Sequence, residues 1–268
     1  MSSFYDTNEI LNILSGYNPW WSGREAAVPA FKRLAYQACR RYLDNTTLRR
    51  AIFLSGPRRV GKTTILRQIA VALLNENVAA KSIIYISLDH PLLKLVTLPQ
   101  LLKLYHEQVY PSGQAAFLLL DEVQYSNDWE LELKQLIDHH PEYRIIATGS
   151  ASVVHRHKLA ESGVGRWLRV AIPTLSFFEF LHIRNEVLPP IPDSLRPNDL
   201  FTMQPRDLRE LATHFGALMP LFLRYLLVGG FPETAGQSDI SLCQRLLRED
   251  VVERVLKRDM TSLFGIRN

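Results

Sequence analysis

The sequence predicts an α/β fold of three layers, with a mainly parallel five-stranded sheet between helices and a helical lid after it. Three stretches carry that expectation. Gly56-Pro57-Arg58-Arg59-Val60-Gly61-Lys62-Thr63 keeps the spacing G-x-x-x-x-G-K-[ST] and joins the apolar run 51–54 to a helical pattern over 63–75. The apolar run 116–120 stops at two carboxylates, Asp121-Glu122, and the run 143–147 stops at Thr148-Gly149-Ser150. Short apolar runs with polar ends read as strands buried on both faces, as parallel strands between helix layers are.

In chain order, Asn18-Pro19-Trp20-Trp21 comes before an amphipathic stretch, 24–43, where Val28, Phe31, Leu34, Ala35 and Ala38 recur at helical spacing and predict a helix packed on the core. The two tryptophans read as a plug on the core edge, with stacking near a base as the alternative. Next come the 51–54 strand, the glycine-containing loop, and a helix with Ile65, Leu66, Ile69, Ala70, Leu73 and Leu74 on one face. Glycines let successive N–H groups turn inward and the helix N-terminus adds partial positive charge, so the stretch from Gly56 to Thr64 suits phosphate groups. Lys62 would reach the β- and γ-phosphates, and Thr63 would offer its hydroxyl to Mg²⁺.

A strand at 82–89 and a helix at 99–110 form one unit inserted before the acidic strand, and right-handed crossovers leave its place in the sheet open. Open parallel sheets bind ligands at the C-terminal ends of their strands, which brings Asp121 and Glu122 to the phosphate loop. Asp121 would hold Mg²⁺ through its waters and Glu122 would polarise the attacking water; by itself the pair would read as an acidic turn. Asp128 is the expected cap of a helix over 129–138, with Trp129, Leu133, Leu136 and Ile137 facing inward. Thr148 or Ser150 would come near the γ-phosphate, unless Thr-Gly-Ser is an ordinary turn. The fifth strand is expected at 167–172, closed by Pro173.

Pro189, Pro190, Pro192 and Pro197 predict a linker over 185–205, separating a core at 1–184 from helices at 206–215, 218–228 and 241–260, with a break at Gly229-Gly230. The 268 residues, 47% hydrophobic, are enough to bury a full core. No uninterrupted apolar run approaches the roughly 20 residues of a bilayer span, and no secretory leader is seen at the N-terminus, so the cytoplasm is the expected location. Cys39 and Cys243 offer neither a disulfide framework nor a metal motif, and His139-His140 and His155-Arg156-His157 lack ligand partners at zinc spacing. A net charge of +4 and a pI near 9.1 allow nucleic-acid binding without requiring it.

Beyond the loop, the chain carries Leu120-Asp121-Glu122-Val123-Gln124, Asp128-Trp129-Glu130, Gly165-Arg166, Pro173-Thr174-Leu175-Ser176-Phe177-Phe178-Glu179-Phe180 and Gly229-Gly230-Phe231-Pro232-Glu233. With these and Asn18-Pro19-Trp20-Trp21 it resembles, over almost its whole length, the bacterial and archaeal ATP-binding proteins that join an AAA-type P-loop NTPase domain to a C-terminal domain of unknown function. The resemblance implies ATP as the nucleotide and a helical lid. Longer members continue into winged-helix and nuclease-like segments, and residues 259–268 resemble the point where they continue. The chain thus reads as truncated, with any DNA- or protein-binding part missing, and oligomerisation is open. The resemblance also makes Arg166 a candidate to neutralise charge on the γ-phosphate, against the alternative of an exposed arginine. Many AAA-type ATPases place Asn where this chain has Thr148 and Ser150.

Three functions compete on these grounds. The first is a Mg²⁺-dependent ATPase using Lys62, Thr63, Asp121 and Glu122. The second is a nucleotide-gated switch that turns over only with a partner or DNA, and the third a small-molecule or nucleotide kinase, against which the Glu122 neighbour of Asp121 counts.

Overall fold

The computed structural model describes residues 6–45, 47–126, 128–150, 165–190 and 195–252. The chain divides into two compact units, Met1–Pro173 and Thr174–Asn268.

The first unit is built on a five-stranded sheet in the order β2-β3-β4-β1-β5. Its strands are β1 (Ala51–Gly56), β2 (Ile83–Ser87), β3 (Ala116–Asp121), β4 (Tyr143–Ser150) and β5 (Trp167–Ala171), and every pairing is parallel. Among the described residues, five α-helices accompany them: α1 (Thr7–Tyr17), α2 (Leu34–Asp44), α3 (Lys62–Asn75), α4 (Leu98–Gln108) and α5 (Trp129–His139). Six residues in a row are buried in β1 and five in β2, the continuous burial expected of parallel strands covered on both faces. The inserted β2 lies outside β3, on the edge of the sheet. The loop strand β1 sits between β4 and β5, which places the ends of β1, β3 and β4 side by side.

An edge strand leaves a row of N–H and C=O groups unpaired, and here the Asn-Pro-Trp-Trp segment covers them. Asn18 accepts a hydrogen bond from Tyr85 N at 2.6 Å through Oδ1 and donates to Tyr85 O at 2.9 Å through Nδ2, much as another strand would. The indole N–H groups of Trp20 and Trp21 both donate to Ile83 O, at 3.0 and 2.9 Å, and Trp21 stacks on Tyr105 of α4. Both tryptophans therefore serve as the plug, at the start of β2 and away from the strand ends where the loop lies.

The helix expected over 24–43 begins only at Leu34. Gly23, at φ 72°, closes a short turn after the tryptophans, and Pro29 cannot continue a helix through the stretch. Residues 24–33 run irregularly and are tied to α3, where Gln68 Nε2 donates to Pro29 O at 2.7 Å and to Phe31 O at 2.8 Å. Helix α1 was not anticipated. Its cap is Asp6, whose carboxylate accepts from Asn8 N, and it buries Ile10 and Leu14 against the core. Asp128 does stand before α5, but in the left-handed region at φ 55° and without a side-chain capping bond.

The second unit contains helices Phe177–Ile183, Pro205–Phe215, Met219–Val228, Pro232–Ala235 and Ile240–Leu246, with a wider turn at Leu247–Val252. Residues 253–260 of the expected last helix, and 191–194 of the expected linker, lie outside the described residues. The Phe177–Ile183 helix was not foreseen, although Ser176 and Glu179 form a reciprocal capping box at its start. Its core joins Leu175, Phe180, Leu181, Val228, Ala235 and Cys243. Contrary to the expectation from uninterrupted runs, the continuous helical stretch Pro205–Val228 is long and apolar enough, by length and composition, to cross a membrane: 24 residues with a mean hydropathy of 1.5 in its most apolar window. Along the sequence Thr213, His214, Gly216 and Arg224 interrupt the apolar residues, yet they do not end the helix.

If Asn18 pairs the edge strand as described, Asn18→Ala strands a buried N–H and a buried C=O. It should lower the unfolding free energy by about 2–4 kcal/mol in urea titrations, whereas a change below about 0.5 kcal/mol would show that water replaces the side chain readily.

Candidate nucleotide-binding site

The loop owes its path to three local constraints. Gly56, the last residue of β1, is pressed against β5: a Cβ there would lie 2.2 Å from Ile172 O, so no side chain fits. Arg59 and Gly61 take positive φ, 63° and 96°, which turns the backbone sharply ahead of α3. Arg33, buried beneath the loop, donates from Nη1 to Val60 O at 2.6 Å and from Nη2 to Pro173 O at 3.1 Å, fixing the loop's underside.

Lys62 opens α3 and is only 4% exposed. Its ammonium donates to Gly56 O at 3.1 Å and Pro57 O at 2.9 Å, so it folds back into the loop, with Glu122 Oε1 3.9 Å away. Burial holds the Lys62 pKa below the ordinary lysine value, Glu122 and Asp121 act against that shift, and Arg58 adds to it. Arg58 itself reaches Tyr125, Nη2 to Oη, at 3.3 Å.

Asp121, at the tip of β3, is 2% exposed and collects three hydroxyl donors. Thr63 Oγ1 donates to its Oδ2 at 2.6 Å, Tyr85 Oη donates to the same oxygen at 2.8 Å, and Thr148 Oγ1 donates to Oδ1. Burial, then the charge of Asp121, pushes the Tyr85 phenol well above the ordinary tyrosine value, so it stays protonated and a donor.

Glu122 follows in the left-handed region at φ 53°. Its N–H donates to Thr148 Oγ1 at 3.0 Å, and its Oε2 accepts from Gln124 Nε2. The other amide atom of that glutamine, Oε1, is buried with no hydrogen-bond partner among the described residues.

The strand ends thus bring together the stretch Gly56–Thr64, Asp121, Glu122 and Thr148. Ser150 closes β4 opposite Gly56, and its side chain lies outside the described residues, as do His155, Arg156 and His157. Arg166 is not brought to this edge. It precedes β5, its carbonyl accepts from Ala51 N at the start of β1, and its guanidinium pairs with Asp138 of α5 at 2.9 Å. From Ala51 to Gly56 the strand climbs roughly 16 Å at about 3.3 Å per residue, so Arg166 stands at the opposite end of β1 from the phosphate loop. Tyr85 and Gln124 were not singled out from the sequence. Tyr85 could have been, as a tyrosine two residues before the end of an otherwise apolar strand.

The AAA domain family matches residues 48–181, half of the chain and the part that holds this site. The chain belongs to the AAA domain family. An uncharacterized protein of Methanocaldococcus jannaschii is 34% identical over 151 residues, 55% of this chain and 30% of that protein. One from Haemophilus influenzae is 30% identical over 134 residues, 49% of this chain and 33% of that protein. The chain therefore spans about a third of the length of these curated relatives. Among solved structures, the Aeropyrum pernix ORC2 protein in its ADPNP-ADP complexes aligns with a TM-score of 0.42 and 17% identity, covering 60% of this chain and 53% of that one.

Membership in the AAA domain family supports ATP binding, and the residues here fit the group. The loop presents backbone N–H groups at a helix start, Lys62 is a buried cation whose present acceptors are two carbonyls of its own loop, and Thr63 with Asp121 forms the all-oxygen set that a hard divalent cation prefers. A pH effect follows from Lys62. Its pKa is lowered in the free protein and would be raised beside phosphates, so at alkaline pH below 10.5 ATP binding should take up a proton. Calorimetry near pH 9 in two buffers of different ionisation heat should report that uptake, and Lys62→Met should abolish it; equal heats in both buffers would contradict it.

Proposed function

We propose that this AAA domain protein is a Mg²⁺-dependent ATPase that converts ATP to ADP and phosphate. The observation that carries the reading is the 2.6 Å hydrogen bond from Thr63 to Asp121, which joins the phosphate loop to the acidic strand tip across 58 residues of sequence. A hydroxyl and a carboxylate brought that close at the helix start that follows a phosphate loop make an arrangement suited to a metal–triphosphate pair.

In this reading the N–H groups from Gly56 to Thr64 bind the phosphates, and Lys62 exchanges its two loop carbonyls for phosphate oxygens. Thr63 and Asp121 would hold Mg²⁺, which when bound neutralises charge on the β- and γ-phosphates. Glu122 is the proton acceptor for the attacking water. Its side chain is 20% exposed whereas Asp121 is 2% exposed, so of the two carboxylates it is the one that water can reach. Thr148, through its bonds to Asp121 and the Glu122 backbone, keeps the two carboxylates in fixed relation.

A second reading, a nucleotide-gated switch with negligible basal turnover, is favoured by one feature. Gln124 holds the Glu122 carboxylate, and Arg166 is paired far from the site, so the water-activating group is restrained and its proposed cationic helper is elsewhere. A DNA or protein partner would then release Glu122.

Glu122→Gln should leave ATP affinity within about twofold and slow phosphate release by roughly 10²- to 10⁴-fold, the range for loss of a general base. Release from that variant at the wild-type rate would remove Glu122 from the role. Single-turnover measurements with and without added DNA separate the two readings, since a fast basal rate that no partner alters excludes the switch.

A further inference from the structure

We propose that Tyr85 is a positioning residue for the metal-holding carboxylate, and that the N-terminal Asn18 locks it in place. The inference rests on the reading of Asp121 as the magnesium-supporting group.

The geometry is specific. Tyr85 sits on the edge strand β2, a residue 2% exposed, and its hydroxyl lies 2.8 Å from Asp121 Oδ2, the oxygen that also receives Thr63. The register pairs Tyr85 with Leu119 and Ser87 with Asp121, so the phenol reaches two residues up the neighbouring strand to meet the carboxylate. Such a reach works only if the backbone of Tyr85 is held. Both of its outward-facing polar groups are held by the Asn18 amide, and the ring is packed edge-on by Tyr17 at 5.9 Å and capped by the Arg67 guanidinium at 5.6 Å.

Each neighbour restrains a different freedom. Thr63 stands in the first turn of α3 and would share its hydroxyl oxygen with the metal, and Thr148 also serves the Glu122 backbone, whereas the Tyr85 hydroxyl donates to Asp121 with the Ser87 side chain as its further hydrogen-bond neighbour. It is therefore the donor that fixes the carboxylate plane while Thr63 is engaged with the metal. Asp121 meets the metal through its waters, so Tyr85 acts one bond further out than the direct partner of a metal ligand, whose removal typically costs 10- to 100-fold in metal affinity, and the lower end of that range is expected.

Tyr85→Phe tests this while keeping the ring and its packing. Mg²⁺ titration at saturating ATP should show the concentration for half-maximal phosphate release rising about tenfold. ATP affinity measured in EDTA should stay within about twofold, a control for folding and for the loop. A merely structural role for Tyr85 would alter both affinities together or only the melting temperature.

As a readout independent of turnover and of the variant's folding, protein carrying 3-fluorotyrosine at position 85 should show its ¹⁹F resonance shift when Mg²⁺ is added to the ATP-bound form. An unmoved resonance, or an unchanged Mg²⁺ dependence in Tyr85→Phe while Asp121→Asn abolishes that dependence, overturns the inference and leaves the magnesium reading intact. If Asp121→Asn itself leaves the Mg²⁺ dependence unchanged, the magnesium reading fails and the role of Tyr85 falls with it.

Discussion

The buried carboxylate of Asp121 is the constraint on which the site depends. A charge 2% exposed is tolerable only if its oxygens are saturated with donors, and the donors come from three places: Thr63 after the loop, Tyr85 on the edge strand and Thr148 on the strand between. Satisfying one carboxylate therefore requires α3, β2, β3 and β4 to be in register at once. Because a parallel sheet fixes register through its whole ladder, the strand ends that gather around Asp121 are set by the packing of the apolar residues below them.

The same logic runs outward to the N-terminal segment. β2 is an edge strand, and an uncovered edge could slip or pair with another chain. Asn18, Trp20 and Trp21 pair three of its polar groups, and Trp21 and Tyr17 add ring contacts with Tyr105 and Tyr85. A segment that reads as a peripheral plug thus holds the strand whose tyrosine reaches the site. Arg33 does the corresponding work on the other flank, where its buried guanidinium binds the loop carbonyl of Val60.

Most of the first unit was legible because its strands are short apolar runs with polar ends and the loop spacing is specific. What could be read was the set of residues at the strand tips; what could not was the strand order, since a right-handed crossover permits β2 on either side of β3. The helix drawn from 24 to 43 failed because helical spacing survived through Pro29 while the backbone could not, and hydrogen bonds from Gln68 and Arg33 stabilise the irregular course instead. Arg166 was placed by family likeness, not by position. Its register at the base of β5 follows from Ala51 pairing with Trp167, which no local pattern encodes. Tyr85 escaped notice for the opposite reason, as a polar group within a run whose apolar neighbours dominated the reading, and Gln124 entered only as part of the 120–124 motif.

The two adjacent carboxylates are held in different ways, and the difference bears on what each can do. Asp121 is fully bonded within regular structure. Glu122 sits in a left-handed conformation that costs a non-glycine residue about 1–3 kcal/mol, and the Gln124 amide that restrains it leaves its own buried oxygen unpaired, a further cost of about 1–3 kcal/mol. Those costs lie in the short turn after β3, beside the well-bonded carboxylate and outside it. A rearrangement that freed Glu122 from Gln124 could recover the second cost by giving the orphaned oxygen a donor, while the bonds around Asp121 stayed as they are. In the proposed reading, the arrangement sets a carboxylate fixed by three donors beside one held by the Gln124 amide, which suits constant metal binding next to switched water activation.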